Sequence, residues 1–379
     1  VTVGPFLRLA FAAAVALAPA AASAQQADYK VGVVSESGDI VTWLLPKDGK
    51  LAVDRTVPVG VMPADIDGPH NMTVAPDRKS YYISIAHGTP FGSLWRMDMA
   101  TDTVLGRAPV EMFPTTISLT PDGDLAFVAN SDFFGDHPRI NLVSVISTPT
   151  MAKITDIPVC DMPHGVKVNH AGSKVYISCM DSDEIVELNV ATLAIARRSR
   201  TGSGGMGSMA MSHGPAQHAV TGGPAPAPGG GAAADGACQP TFVSVSPDDR
   251  TLYVACNHSN VLQVWDAGTL TRTKDVPVGK GAYNVEPSPD GMLVIVTNKK
   301  DQSVSIVDAV TLTEVARVPT SKKMVHGVAY SPDGKYAYVS CESIGADPGA
   351  VDMIDLATRT VVASAPVPAQ PTGISIWRP

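Results

Sequence analysis

Along this chain, apolar and polar residues alternate in short runs and do not recur at helical spacing. KYAYVSC (335–341) and VLQVWD (261–266) set Val, Leu, Tyr or Ala at every second position, the period of a strand with one buried face. A corner precedes many such strands: APDR (75–78), TPDG (120–123), NHAG (169–172), SPDD (246–249), SPDG (288–291) and SPDG (331–334). In the Pro-Asp-Gly corners, Pro presets φ and Gly tolerates the left-handed region, so the pattern is strand, tight turn, strand.

The corners begin 45, 49, 77, 42 and 43 residues apart. The outlier spans a 37-residue stretch, Thr201 to Ala237, rich in Gly, Ala and Pro. Without it the spacing returns to that of its neighbours. Units of this length holding four short strands predict a β-propeller. Inner strands begin near residues 70, 115, 164, 241, 283, 326 and 372, which makes seven blades. The last, PTGISIW, has too little chain after it to complete a blade. YKVGVVSE, DIVTWLLP and KLAVDRTVPV near the N-terminus supply the missing strands, so the ring closes by pairing the two ends of the chain. The prediction is an all-β, seven-bladed propeller over 25–379, with residues 201–237 a flexible loop between blades 3 and 4.

SPDGKYAYVSC, VSIVDAVTLTEVARVP and VLQVWDAGTLTRTKDVPVG resemble the YVTN-type repeats of bacterial seven-bladed propellers. That group is similar in turn to the propellers of nitrous oxide reductase and quinoprotein amine dehydrogenases. The resemblance covers residues 29 to 379 apart from the insert. It implies the fold strongly and the activity weakly, because propellers host many functions.

Residues 1–24 read as a signal peptide: Arg8, then an apolar run, then Ala22-Ser23-Ala24 as the cleavage site. The expected location is the bacterial periplasm or the exterior, with no transmembrane segment after cleavage. A net charge of −8 and the lack of a basic block exclude a nucleic-acid partner.

Counting five residues back from each corner gives the entrance of the inner strand: His70, Thr115, His164, Thr241, Tyr283 and His326. Counting ten forward gives the end of the second strand: Ile85, Asn130, Cys179, Cys256, Asn298 and Cys341. Both sets are expected around one mouth of the channel. His70, His164 and His326 are therefore axial metal-ligand candidates, of a kind that suits copper and zinc, with copper the metal expected. The competing reading is that each His-Gly only bonds the adjoining loops. Met206, Met209, Met211, His213 and His218 in the insert form a second candidate set, of a kind that suits Cu(I). The cysteines have two readings as well. Cys160–Cys179 and Cys238–Cys256 are disulfide candidates with Cys341 a free thiol, or the register cysteines are thiolate ligands; spacing alone does not fix connectivity.

No pair of carboxylates is placed for acid–base catalysis, and Cys-x-x-Cys-His is absent. The leading expectation is a non-enzymatic binding or scaffold protein of the cell envelope. It would handle copper, a small ligand or a protein partner on the upper face. A copper-dependent periplasmic oxidoreductase is the alternative, and a lactonase-like hydrolase ranks third.

Overall fold

The computed structural model describes residues 1–2, 4, 28–47, 49–61, 66–87, 92–131, 141–202, 236–343 and 347–379. They form seven four-stranded antiparallel sheets, and the one helical element among them is a single 3-10 turn at Glu36–Gly38. The inner strands are Pro69–Val74, Pro114–Leu119, Pro163–Val168, Pro240–Val245, Ala282–Pro287, Val325–Tyr330 and Pro371–Trp377, for blades 1 to 7. Blade 7 is composite as expected. Pro371–Trp377 pairs with Lys30–Ser35, which pairs with Ile40–Lys47 and then Lys50–Pro58. Closing the ring this way leaves no inner edge open to solvent.

The alternation in the sequence becomes packing between blades. Tyr176 of blade 3 packs into one cluster with Trp265, Leu252 and Val254 of blade 4. Trp43 of blade 7 lies edge-on to Tyr81 of blade 1, at 5.3 Å between ring centroids. The corners are held by their own side chains. In SPDG at 288–291, Ser288 donates to Asp290 Oδ1 at 2.5 Å and accepts from the Leu293 amide at 2.9 Å. Gly291 takes φ 71°, a region glycine enters without strain.

Both predicted disulfides form, Cys160–Cys179 and Cys238–Cys256, and Cys341 is free and buried. Each bridge ties the loop entering a blade to the end of that blade's second strand. Among the described residues no helix is long and apolar enough to cross a membrane.

Candidate functional site: the upper mouth of the channel

The same local geometry opens every blade. The residue before the inner strand lies in the left-handed region: Gly68, Phe113, Met162, Gln239, Gly281, Met324 and Gln370. The inner strand then carries one residue more than its partner. Pro69 pairs with Ile85 and Asn71 with Ser84, so His70 is left over. Thr115, His164 and Thr241 are left over in the same way in blades 2, 3 and 4. In blades 5, 6 and 7 the irregularity falls at Tyr283, His326 and Thr372 with their following residues. A bulge frees a side chain from the up-and-down alternation of the strand and re-aims it. Seven bulges therefore present one ring of buried side chains at the mouth. The sequence register found this ring, but the second-strand residues pair with the position before it.

Two of the histidines continue into glycine for a packing reason. A Cβ on Gly165 would meet Thr241 O at 2.8 Å, and one on Gly327 would meet Thr372 O at 2.6 Å. The next blade's inner strand comes too close for any side chain there.

A second ring follows one residue past each second strand: Ala86, Ser131, Met180, Asn257, Lys299, Glu342 and, in blade 7, Glu36. Their amides donate to the carbonyls of the seven left-handed residues. Charge is confined to blades 5, 6 and 7. Lys299 Nζ lies 3.0 Å from Glu342 Oε1 and sits over the Tyr283 ring, 4.3 Å from its centroid. Glu36 Oε2 lies 2.6 Å from His70 Nδ1, and Oε1 lies 2.8 Å from His87 Nε2.

The ring histidines are linked by a chain of ring contacts that passes through Tyr283. His70 and His326 meet edge to face with centroids 5.4 Å apart; His326 and Tyr283 are 4.7 Å apart, Tyr283 and His164 5.4 Å. Their bonding differs. His164 Nδ1 donates to Thr241 O at 2.9 Å, and its Nε2 lies 3.1 Å from the Tyr283 hydroxyl. His164 is thus engaged at both nitrogens. His326 Nδ1 and Nε2, Thr372 Oγ1 and His70 Nε2 are buried without a hydrogen-bond partner. These atoms of the bulge ring belong to consecutive blades, 6, 7 and 1; other buried atoms without a partner, such as Thr116 Oγ1, Asn130 Oδ1 and Asn298 Oδ1, lie outside that ring. Buried polar atoms without partners are rare, and they cluster where a ligand, ion or water belongs.

Burial keeps two of the imidazoles, His326 and His164, in the neutral form. Burial, reinforced by nearby Lys299 and His70, pushes His326 well below the usual histidine range. Burial brings His164 down to about 3, with His70 adding to the shift. Glu36 goes the other way. Burial alone would raise it, but the charge and hydrogen bonds of His70 and His87 bring it down to about 2. The hydrogen bond to Glu36 raises His87 despite its desolvation.

Among the described residues no three His, Cys, Asp or Glu side chains group so as to hold a metal ion. His70 and His326 come together and His164 is set apart by Tyr283. Met206, Met209, Met211, His213 and His218 lie outside the described residues. Sequence reasoning missed Glu36, Lys299, Glu342 and Thr372. The first three share a position just beyond the second strand that was not superposed between blades.

The family model described as the Cytochrome D1 heme domain matches residues 233–327 and 289–375, less than half of the chain. Both segments contain His326. No curated protein sequence matches this chain. Among solved structures the chain is similar to a functionally unknown protein from Desulfotomaculum acetoxidans (TM-score 0.70, 13% identity, 93% of this chain and 99% of that one). It is also similar to Kuenenia stuttgartiensis hydrazine synthase (TM-score 0.59, 21% identity, 79% and 80%). A third is the dihydro-heme d1 dehydrogenase NirN in complex with DHE (TM-score 0.57, 16% identity, 91% and 74%). At these identities the likeness is one of fold.

Proposed function

We propose that this protein is an exported propeller that binds an iron tetrapyrrole at its upper mouth, with His326 as the iron ligand. The observation that carries the reading is the trio of orphaned buried positions, His326, Thr372 and His70, on three adjacent blades. A neutral imidazole nitrogen with no other partner is the donor that heme iron takes. The Cytochrome D1 heme domain match supports the choice of group, since it spans His326 in both of its segments. The donor set therefore fits. When bound, such a group supplies a redox centre. The chain's own residues bind and orient it. His326 gives the nitrogen, Lys299 and Glu342 make a charged rim beside it, and the Tyr283–His164 pair backs that rim with a fixed hydrogen bond. Export fits the leader-like N-terminus and the two disulfides, which persist in oxidising compartments.

The second reading is a copper ion shared by His326 and His70, favoured by their edge-to-face approach at 5.4 Å. The insert's Met and His residues would be an accessory capture arm in that case. A scaffold role for the outer faces has no comparable observation behind it.

Titration of the purified, tag-free protein with hemin, and separately with Cu(I) against a chelator, tests both. A saturable shift of the heme absorption band, lost in His326→Ala and kept in His164→Ala, is expected for the first reading. Cu(I) binding lost in both His326→Ala and His70→Ala favours the second. Binding of neither probe, or binding indifferent to His326, overturns both.

A further inference from the structure

The contact between Glu36 and His70 decides more than charge. Glu36 is buried on the turn that follows the second strand of blade 7, Lys30–Ser35, and its amide donates to Gln370 O at 2.9 Å. Its carboxylate is pinned from two sides, by His70 at 2.6 Å and His87 at 2.8 Å. An ionised carboxylate can only accept, so the proton of the short contact sits on His70 Nδ1. When the ring carries that one proton alone, Nε2 keeps its lone pair. That Nε2 is buried and has no partner. Its ring meets His326, whose nitrogens are also unpartnered.

We propose that Glu36 is a positioning residue that fixes His70 as the tautomer protonated on Nδ1 and so presents Nε2 at the mouth as a second ligand beside His326. This rests on reading the mouth as a site for a metal-centred group. A carboxylate behind a ligating imidazole orients the ring and raises its basicity. The two residues lie 34 apart in sequence, where the chain passes from blade 7 into blade 1. Glu36 comes from the N-terminal part of blade 7, and His70 opens blade 1. At the equivalent position the other blades carry Ala86, Ser131, Met180, Asn257, Lys299 and Glu342. Among these the one carboxylate, Glu342, is spent on Lys299.

The test begins without any ligand. Long-range proton–nitrogen correlation spectra of histidine-labelled protein should show His70 protonated on Nδ1 alone. Glu36→Ala should lose that pattern, and Glu36→Gln should keep it, because the amide oxygen still accepts. Hemin and Cu(I) titrations follow. Glu36→Ala should weaken the bound probe about 10–100-fold in wild-type background and change nothing further in His70→Ala. A His70 protonated on Nε2 or on both nitrogens, or a tautomer unchanged in Glu36→Ala, overturns the role of Glu36. So does a probe affinity that falls equally with His70 already removed. If the wild type binds neither probe, the reading of the mouth fails, and the spectra alone still decide the tautomer.

Discussion

His164 shows how a single residue at the mouth is held by structure and not by ligand. Both nitrogens are bonded, and burial holds the ring neutral down to about pH 3 although the bond to Thr241 O favours the charged form. The unfolded chain takes up that proton near pH 6.5. Below 6.5 the unfolded state therefore binds more protons than the fold, and stability falls as pH falls, until His164 itself protonates near 3. The slope from this one group is about 1.4 kcal/mol per pH unit. Urea unfolding of the wild type and His164→Asn at pH 7.5 and pH 5 checks it. The stability advantage of the wild type should shrink at the lower pH, and a pH-independent difference would contradict the assignment. The glycine after a ring histidine carries a separate expectation. Gly327→Ala places a Cβ against the Thr372 carbonyl, a backbone atom that cannot swing aside. It should cost on the order of 1–3 kcal/mol, read as a lower unfolding midpoint, whereas an unchanged midpoint would mean that blade 7 can retreat. The ring of His70, His164 and His326 was legible because the Pro-Asp-Gly corners index each blade. Glu36 was not legible, because blade 7 has no such corner and its strands arrive from opposite ends of the chain.

The repeat was readable at the level of elements because its turns are built from their own side chains. Asp266, Asp308 and Asp355 each accept from a Thr hydroxyl three residues on, and a second Thr two residues later joins them. This Asp-x-x-Thr-x-Thr unit closes the hairpin between third and fourth strands in WDAGTLT, VDAVTLT and IDLATRT. The cysteines were legible in register, but choosing bridges over ligands needed the distances. Cα atoms 6.0 and 4.6 Å apart are within reach of a disulfide. Thiol counting on denatured, unreduced protein should give one, from Cys341; a count of five would mean that neither bridge forms in solution. The ends of the insert meet at one clamp, where Asp183 accepts from Thr201 Oγ1 and from the Cys238 and Gln239 amides, at 2.9 to 3.0 Å. Deleting 203–235 should therefore leave cooperative unfolding intact, since closing a shorter loop changes the entropy only slowly with length. Loss of a single transition in the deletion variant would show that the insert packs as structure.

For the molecule as a whole, the seven blades share one backbone plan and differ in what they present. The bulge, the left-handed residue before it and the amide that caps it recur around the ring. Some bulged side chains tie neighbouring blades together: Thr115 Oγ1 donates to His164 O, His164 Nδ1 to Thr241 O and Thr241 Oγ1 to Tyr283 O. In blades 6 and 7 the bulged side chains, His326 and Thr372, make no hydrogen bond, so there the rim is a set of exchangeable tips on a fixed turret. A histidine moved from blade 6 to blade 2 would still face the axis, yet it would look onto Thr115's neighbours and away from Lys299 and Glu36. In such a molecule the identity of the ligand is written in angular position, and two propellers with the same composition at the rim, rotated by a blade, would be different receptors.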